Sequence, residues 1–529
     1  MNGHLVKSSS IVSGLTMLSR LLGFARDVVI ARYFGVGPAT DAFLVAFRIP
    51  NFLRRLFSDG SFSLAFLPLL RGTDGKGGVQ GRLEVDTLFG ALILLLLQIS
   101  LAGTLAAPLL IAVFAPGLFA QPLDSALCTD MVRITFPYLF FIVLTAFAGG
   151  ILNSRGHFAV PAFTPVLLNL CMIIGAIWFA PLLDRPIMAL AWAVLLAGLL
   201  QFALQIPALA YTGHVPRPHF SLRRFRQSWP LLRGVMPSLL GVSVPQLNIL
   251  VDTFFASFLM SGSISWLYYS DRYIELPVAM VGVALGTAIL PRLANLHLQG
   301  DGAHFSEVLD WGLRWVTLIS LPAALGLGML STPLMACVFG TDAARETDIV
   351  MAARSLMAYA PALPGLIAVR VLSSAYAARH DSGALLTSGL LAVLVNGGLG
   401  VALAFMAAPQ GWRHAALTLS TALAALLQGG FLLHKLLRTG IYCPRPGWGL
   451  FLLRTGFAAL IMAVGLLYGD KQSLRLIMPI ENSYLRLCVL VAGGTGVYFS
   501  VLWLGGVRRR HLHAPLRPVA AAAGIQRCD

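Results

Sequence analysis

The stretch TLFGALILLLLQISLAGTLAAPLLIAVFAPGLFAQPL, from Thr87 to Leu123, contains no Asp, Glu, Lys or Arg. A helix needs roughly 20 apolar residues to cross a hydrocarbon core of about 30 Å, and this run exceeds that. Four further uncharged stretches of sufficient length follow: Ala159 to Leu183, Pro186 to Pro216, Gly383 to Trp412 and Leu487 to Val507. Over all 529 residues the composition is 57% hydrophobic and 11% charged, with a mean hydropathy of +0.80. No soluble class has that balance, so the reading is an all-α polytopic membrane protein.

Working outward from these runs, apolar windows punctuated by Gly, Pro and charge predict about fourteen transmembrane helices. They lie near 10–34, 40–70, 87–115, 129–152, 159–183, 187–211, 229–260, 263–292, 311–339, 349–377, 383–407, 414–437, 449–468 and 484–506. Loops after even-numbered spans are rich in arginine, as at Arg217, Arg223, Arg224 and Arg226, whereas loops after odd-numbered spans are short or acidic, with Asp124, Asp184, Asp342, Glu346, Asp348 and Asp470. The positive-inside rule then puts both termini in the cytoplasm, which an even span count requires.

A net charge of +16 could suggest nucleic acid, but the basic residues are scattered between apolar spans and form no basic domain, so no nucleic-acid partner is expected. Only four are lysines (Lys7, Lys76, Lys435 and Lys471). Arginine is the side chain suited to two-pronged contacts with phosphate and carboxylate. The six cysteines have no metal-ligand spacing. No HExxH or DxD motif and no long extramembrane segment supports a membrane enzyme.

The start of the chain also matches its middle. Asp27 leads to a segment ending at Pro68, and Asp252 leads, over a nearly equal distance, to one ending at Pro291. An offset of six spans implies two six-helix lobes in parallel pseudo-repeat, with two C-terminal helices outside it. The expected divisions are 1–211 for the first lobe, 212–228 for a cytoplasmic basic linker, 229–438 for the second lobe, 439–506 for two further transmembrane helices and 507–529 for a cytoplasmic basic tail.

Several charges fall inside spans. Arg20, Arg26 and Asp27 lie in the first; Asp41, Arg48, Arg54, Arg55 and Asp59 lie in or at the ends of the second; Asp252 lies in the seventh; Asp271, Arg272 and Glu275 lie in the eighth. Each costs about 2.5–3.5 kcal/mol at a helix centre on insertion scales, so they should face protein or a watery interior. Arg272 and Glu275, three apart, can form an ion pair within one helix. Interhelical pairing or snorkelling is the plainer account of Arg32, Arg48, Arg55, Asp59 and Arg292. Arg20, Arg26, Arg54 and Arg272 exceed what Asp41, Asp271 and Glu275 can neutralise, which suits an anion such as diphosphate.

The segment DAFLVAFRIPNFLRRLFSDGSFSLAFLP from Asp41 to Pro68, together with SRLLGFARD from Ser19 to Asp27 and YSDRYIELP from Tyr269 to Pro277, resembles the signature of the MurJ (MviN) lipid II flippase family. That resemblance implies the multidrug/oligosaccharidyl-lipid/polysaccharide exporter fold, with two lobes in a V around a central cavity and spans thirteen and fourteen forming a groove for a polyprenyl tail. It implies that lipid II, the undecaprenyl-diphosphate-linked peptidoglycan precursor, passes from the cytoplasmic to the periplasmic leaflet of the bacterial inner membrane by alternating access, for cell-wall synthesis. Membrane lipids and cell-wall synthesis proteins would be partners. Arg20, Arg26, Arg54 and Arg272 would hold the diphosphate and headgroup, with Asp27, Asp41, Asp271 and Glu275 as gating or arginine-positioning acids.

Some members of the family resemble sodium-coupled exporters. Asp252 and Asn396 match part of a cation site, but Gly397-Gly398-Leu399-Gly400 offers no second carboxylate. No cofactor is expected, and the membrane potential or an ion gradient would drive transport. The alternatives are a flippase for another polyprenyl-linked polysaccharide and a membrane enzyme acting on the lipid carrier.

Overall fold

The computed structural model describes residues 2–58, 78–120, 122–220, 246–469 and 483–507, and these residues form helices and no strand. The side chains of Arg55, Asp59 and Pro68 lie outside the described set, as do residues 221–228 of the expected linker and all of the tail beyond Val507. The chain divides into two compact units, Met1–Ser265 and Trp266–Asp529.

Ten helices among the described residues are long and apolar enough to cross a membrane, or eleven if the pair Ala343–Tyr359 and Ala362–Ala378 is one span. The expected first, second and seventh spans are missing from that set. The first two are helices, Asn2–Phe34 and Pro38–Ser58, with polar and charged residues along their length. The seventh is described as helix only over 246–256. Fourteen crossings therefore require the charged helices to cross as well.

Two boundaries differ from the apolar-window reading. The ninth span starts at Gly302, because the Asp301 carboxylate accepts the His304 N–H at 3.1 Å and caps the helix there. It ends at Met329, and Ser331–Phe339 is a separate helix. Hydropathy misses the first turns of such a helix because they are polar. The tenth span breaks between Tyr359 and Ala362 with a 47° bend, where Pro361 interrupts the helical hydrogen-bond ladder.

The eighth span is broken more gently. Helix Ser263–Pro277 passes into a wider π-helical turn, Val278–Val283, and continues as Ala284–Leu298. Pro277 has no amide hydrogen, so its place in the ladder is lost and the following turn can open by one residue.

In the first unit, helix Pro38–Ser58 buries Ala42 through Phe47. The Cys128 thiol and the Thr135 hydroxyl reach its Ala42 and Ala46 carbonyls, so the second span is held against the fourth. In the second unit, Leu318 of the ninth span packs with Phe451, Ala458, Met462 and Leu466 of the thirteenth and Tyr498 and Leu502 of the fourteenth. The Tyr498 hydroxyl donates to the Leu318 carbonyl at 2.7 Å.

A buried carboxylate fastens this group at one end. Asp310 accepts from Arg314 Nε at 2.8 Å, the Tyr442 hydroxyl at 2.8 Å and Trp448 Nε1 at 2.6 Å. Burial and this carboxylate push the Tyr442 phenol well above its usual range, so it remains a donor.

Candidate functional site

The first unit holds three of the four expected anion-binding arginines, in three different states. Arg26 is 6% exposed and Asp27 3%. Arg26 Nε and Nη2 donate to Asp27 Oδ1 at 3.0 and 2.6 Å, and Nη1 donates to Asn169 Oδ1 at 3.0 Å. The Asn169 amide nitrogen in turn donates to the Ser19 carbonyl at 2.9 Å, joining the first and fifth spans. A Cβ on Gly23 would lie 3.6 Å from that amide. The glycine thus lets the asparagine approach the helix backbone closely. Arg26 is a buried cation neutralised by the next residue and oriented by an amide.

Arg54 is half-buried, and its Nε donates to Asn51 Oδ1 at 3.0 Å, one turn earlier. Its terminal nitrogens have no partner among the described residues. Arg20 is exposed and has none either. These two guanidinium groups keep donors available for an anion.

Asp41, expected as a gating or positioning acid, has a helix end as its partner. It is 2% exposed, and its oxygens accept the Gly262 N–H at 2.7 Å, the Ser265 N–H at 2.8 Å and the Ser265 hydroxyl at 2.5 Å. These groups open helix Ser263–Pro277, where unsatisfied amides and the helix dipole favour a negative charge. Arg48 Nη1 donates to the Thr253 hydroxyl at 2.5 Å, consistent with a structural contact.

In the second unit, Arg272 is held within its own helix. Its Nη1 donates to Glu275 Oε2 at 2.7 Å and its Nη2 to the Tyr268 hydroxyl at 2.9 Å, and the guanidinium lies over the Tyr268 ring, 4.7 Å from its centroid. The Arg272 and Glu275 side chains are 28% and 44% exposed. Asp271 accepts from the Tyr359 hydroxyl at 3.3 Å. The acid of this pair is the more accessible member, which leaves room for an incoming anion to displace it.

The candidate cation residues fall in different units, Asp252 in the first and Asn396 in the second. Asn396 is fully buried, and its Oδ1 accepts from the Ser420 and Thr421 hydroxyls at 2.8 and 3.2 Å. Among the described residues no cluster of three or more His, Cys, Asp or Glu could hold a metal ion.

Sequence reasoning missed Asn169, Tyr268, Tyr359 and Ser265. The available signal for Asn169 was an amide isolated in an uncharged span, a residue type that must find a partner there. The aromatic and serine partners carry no such signal, because their role depends on which helix they meet.

Known proteins similar to this chain match it over nearly its whole length. The family described as lipid II flippase MurJ matches residues 30–481. A probable lipid II flippase MurJ from Vibrio cholerae is 37% identical over 521 residues, covering 97% of this chain and 98% of its own. A lipid II flippase MurJ from Burkholderia cenocepacia is 38% identical, covering 96% and 98%. Among solved structures, a lipid II flippase MurJ in an inward closed conformation superposes with a TM-score of 0.79 at 25% identity, over 93% of this chain and 98% of that one. A multidrug resistance MATE family transporter of the MOP superfamily shares the fold, with a TM-score of 0.65 at 14% identity over 82% of this chain and 98% of its own. With its charged first and second spans, its paired arginines and full-length relatives of this kind, the chain belongs to the lipid II flippase MurJ family and is a membrane transporter, not an enzyme.

Proposed function

We propose that this protein moves lipid II, undecaprenyl-diphosphate-linked disaccharide peptide, from the cytoplasmic to the periplasmic leaflet of the bacterial inner membrane, with both its termini in the cytoplasm. The observation that carries the reading is the pair of arginines, Arg20 and Arg54, whose terminal guanidinium nitrogens have no hydrogen-bond partner among the described residues in the first two spans of a chain of this family. A cation in a membrane span without a protein partner is stable only in contact with water or an anionic ligand. Within the first unit Arg26, already neutralised by Asp27, would add to the anion site by exchanging part of that pairing for phosphate, and in the second unit Arg272 would exchange part of its pairing with Glu275 in the same way.

Alternating access supplies the path. Asp41, held on the end of helix Ser263–Pro277, would act as a gating acid whose release accompanies the change of access. An inside-negative potential favours outward movement of an anion by about 2.3 kcal/mol per charge per 100 mV. Transport then draws on the membrane potential. Coupling to sodium through Asp252 and Asn396 is the weaker version, because the Asn396 oxygen already accepts two hydroxyl groups.

The test is lipid II accessibility at the outer face of proteoliposomes. Arg54→Ala and Arg20→Ala should each abolish most of the signal, and wild-type movement by both variants refutes the anion site. Competition with a polyprenyl-diphosphate carrying an unrelated polysaccharide separates this substrate from other lipid-linked saccharides. Replacing sodium with potassium at constant potential should leave the rate unchanged.

A further inference from the structure

One charge in the middle of a span has no place in the site just described. Arg370 lies halfway along helix Ala362–Ala378 and is exposed; its carbonyl accepts from the Ser374 hydroxyl at 3.3 Å, but its guanidinium has no hydrogen bond, ion pair or ring contact among the described residues. Arg354, on the other half of the same bent span, donates to the Gly411 carbonyl at 3.0 Å and lies over the Trp412 ring at 5.0 Å. The two arginines therefore have different requirements, and only Arg354 has its charge answered by protein.

Arg370 does not reach the headgroups. Eight residues separate it from Ala378, about 12 Å and more than two turns at 1.5 Å per residue. Nor does its neighbourhood suit lipid. Its side chain passes over the eighth span at Gly282, where an added Cβ would come within 3.3 Å of Arg370 Cγ, and its carbonyl lies 3.2 Å from a Cβ built on Gly286. That span exposes Met280 and Val283 beside Gly282, but from Ala284 to His297, alongside Gly286, it exposes no large apolar side chain. What it exposes is Ala284, Thr287, Ala288, Pro291 and Asn295. The thirteenth span, by contrast, exposes Leu450, Leu452, Leu453, Phe457 and Leu460. An unpartnered guanidinium beside a small, partly polar helix face marks a watery interior surface.

We propose that Arg370 is a second anion-binding residue, which holds a carboxylate of the stem peptide on the substrate headgroup. The inference rests on the lipid II reading above. Ten residues of the eighth span separate Arg272 from Gly282, roughly 15 Å along the helix axis. A diphosphate held at Arg272 is too short to reach across that gap, whereas the disaccharide peptide extending from it ends in free carboxylates. The even-numbered spans finish in the cytoplasm, so Arg370 lies nearer that face than Arg272 does and meets the peptide arm as the headgroup is loaded. A guanidinium and a carboxylate pair through two parallel hydrogen bonds, which orients the arm as well as attracting it.

The experiment compares two substrates in proteoliposomes: lipid II with free stem-peptide carboxylates, and the same molecule with those carboxylates amidated and the diphosphate intact. Arg370→Gln should slow movement of the first by about tenfold, the scale of one charge-assisted hydrogen bond, and leave the amidated substrate within twofold of wild type. Arg370→Lys should recover part of the loss. An equal loss for both substrates means that Arg370 serves the diphosphate or the fold, and overturns the assignment. An unchanged rate for both also overturns it. Wild-type protein that moves neither substrate overturns the lipid II reading itself, an outcome distinct from failure of the Arg370 variant alone.

Discussion

Arg26 of the first unit and Arg272 of the second carry the same charge on helices expected to cross the membrane, and the protein treats them differently. Arg26 and Asp27 have side-chain exposures of 7% and 4%, against 28% and 44% for Arg272 and Glu275. Arg26 also has an amide from another span to hold it, whereas Arg272 donates to Glu275 and Tyr268, each about one turn away on its own helix. The first pair is part of the packing of its unit. The second is a partly exposed pair.

That contrast can be broken by substitution, with the largest effect expected at Asp27. Asp27→Ala leaves Arg26 buried beside no carboxylate, a change that costs roughly 3–5 kcal/mol in comparable buried pairs. Thermal unfolding of the purified protein in detergent should show a large drop in midpoint. A midpoint close to wild type would mean that water reaches Arg26 and that the two pairs are equivalent.

Asn169→Ala comes next. It removes one hydrogen bond to a charged group and one to the Ser19 carbonyl, with an expected loss of about 1–3 kcal/mol. Asn169→Asp, which keeps the acceptor for Arg26 but gives up the donor to Ser19, should recover part of the stability. Failure of Asp to do better than Ala would locate the role of Asn169 at the backbone carbonyl and not at the arginine.

A reference lies outside the spans, at Asp381. Its carboxylate caps helix Ser382–Val401 by accepting the Ala384 N–H at 3.1 Å, and Lys435 lies 3.3 Å away. The backbone hydrogen bond holds its pKa below the usual carboxylate value, with the lysine adding to the effect. A lowered folded-state pKa means that the stabilisation is present above the ordinary carboxylate range and is lost as pH falls through the folded value, below about 4. Asp381→Ala should cost about 1 kcal/mol at neutral pH, a typical cap. The difference from wild type should vanish in acid unfolding scans, and a difference that persists there would contradict the capping role.

Glu275→Gln should have the smallest effect on stability, at most about 1 kcal/mol, because the pair it breaks is substantially exposed. Its effect should appear in transport. If Glu275 holds Arg272 until the anion arrives, the Gln variant binds lipid II at least as tightly as wild type, measurable by titration in detergent micelles. Weakened binding would mean that the acid orients the arginine for the ligand.

The charged helices were legible as sequence because a short list of residues stood out against an uncharged background. The i,i+3 pairing of Arg272 with Glu275 followed from helical spacing alone. The pairing of Arg26 with Asp27 did not, since adjacent helical residues diverge by about 100° and long side chains must bend to meet. Arg370 was lost among residues that the hydropathy of the tenth span averaged away, and the want of a partner for its guanidinium among the described residues is a property of the packed unit.

What the sequence by itself determined is the solvent of this protein, its helical class, the approximate position of its spans and the excess of arginine within them. Those follow from composition and from local periodicity, which act over one or a few helical turns. Tertiary structure alone decided which arginines are spent and which are available. It placed Asn169 on Arg26, put Asp41 on a helix end, broke the tenth span at Pro361, and left the terminal guanidinium nitrogens of Arg20, Arg54 and Arg370 without a hydrogen-bond partner among the described residues. A charge in a membrane span must be compensated, but the compensating group comes from whichever helix packs against it, and no spacing along the chain records that choice.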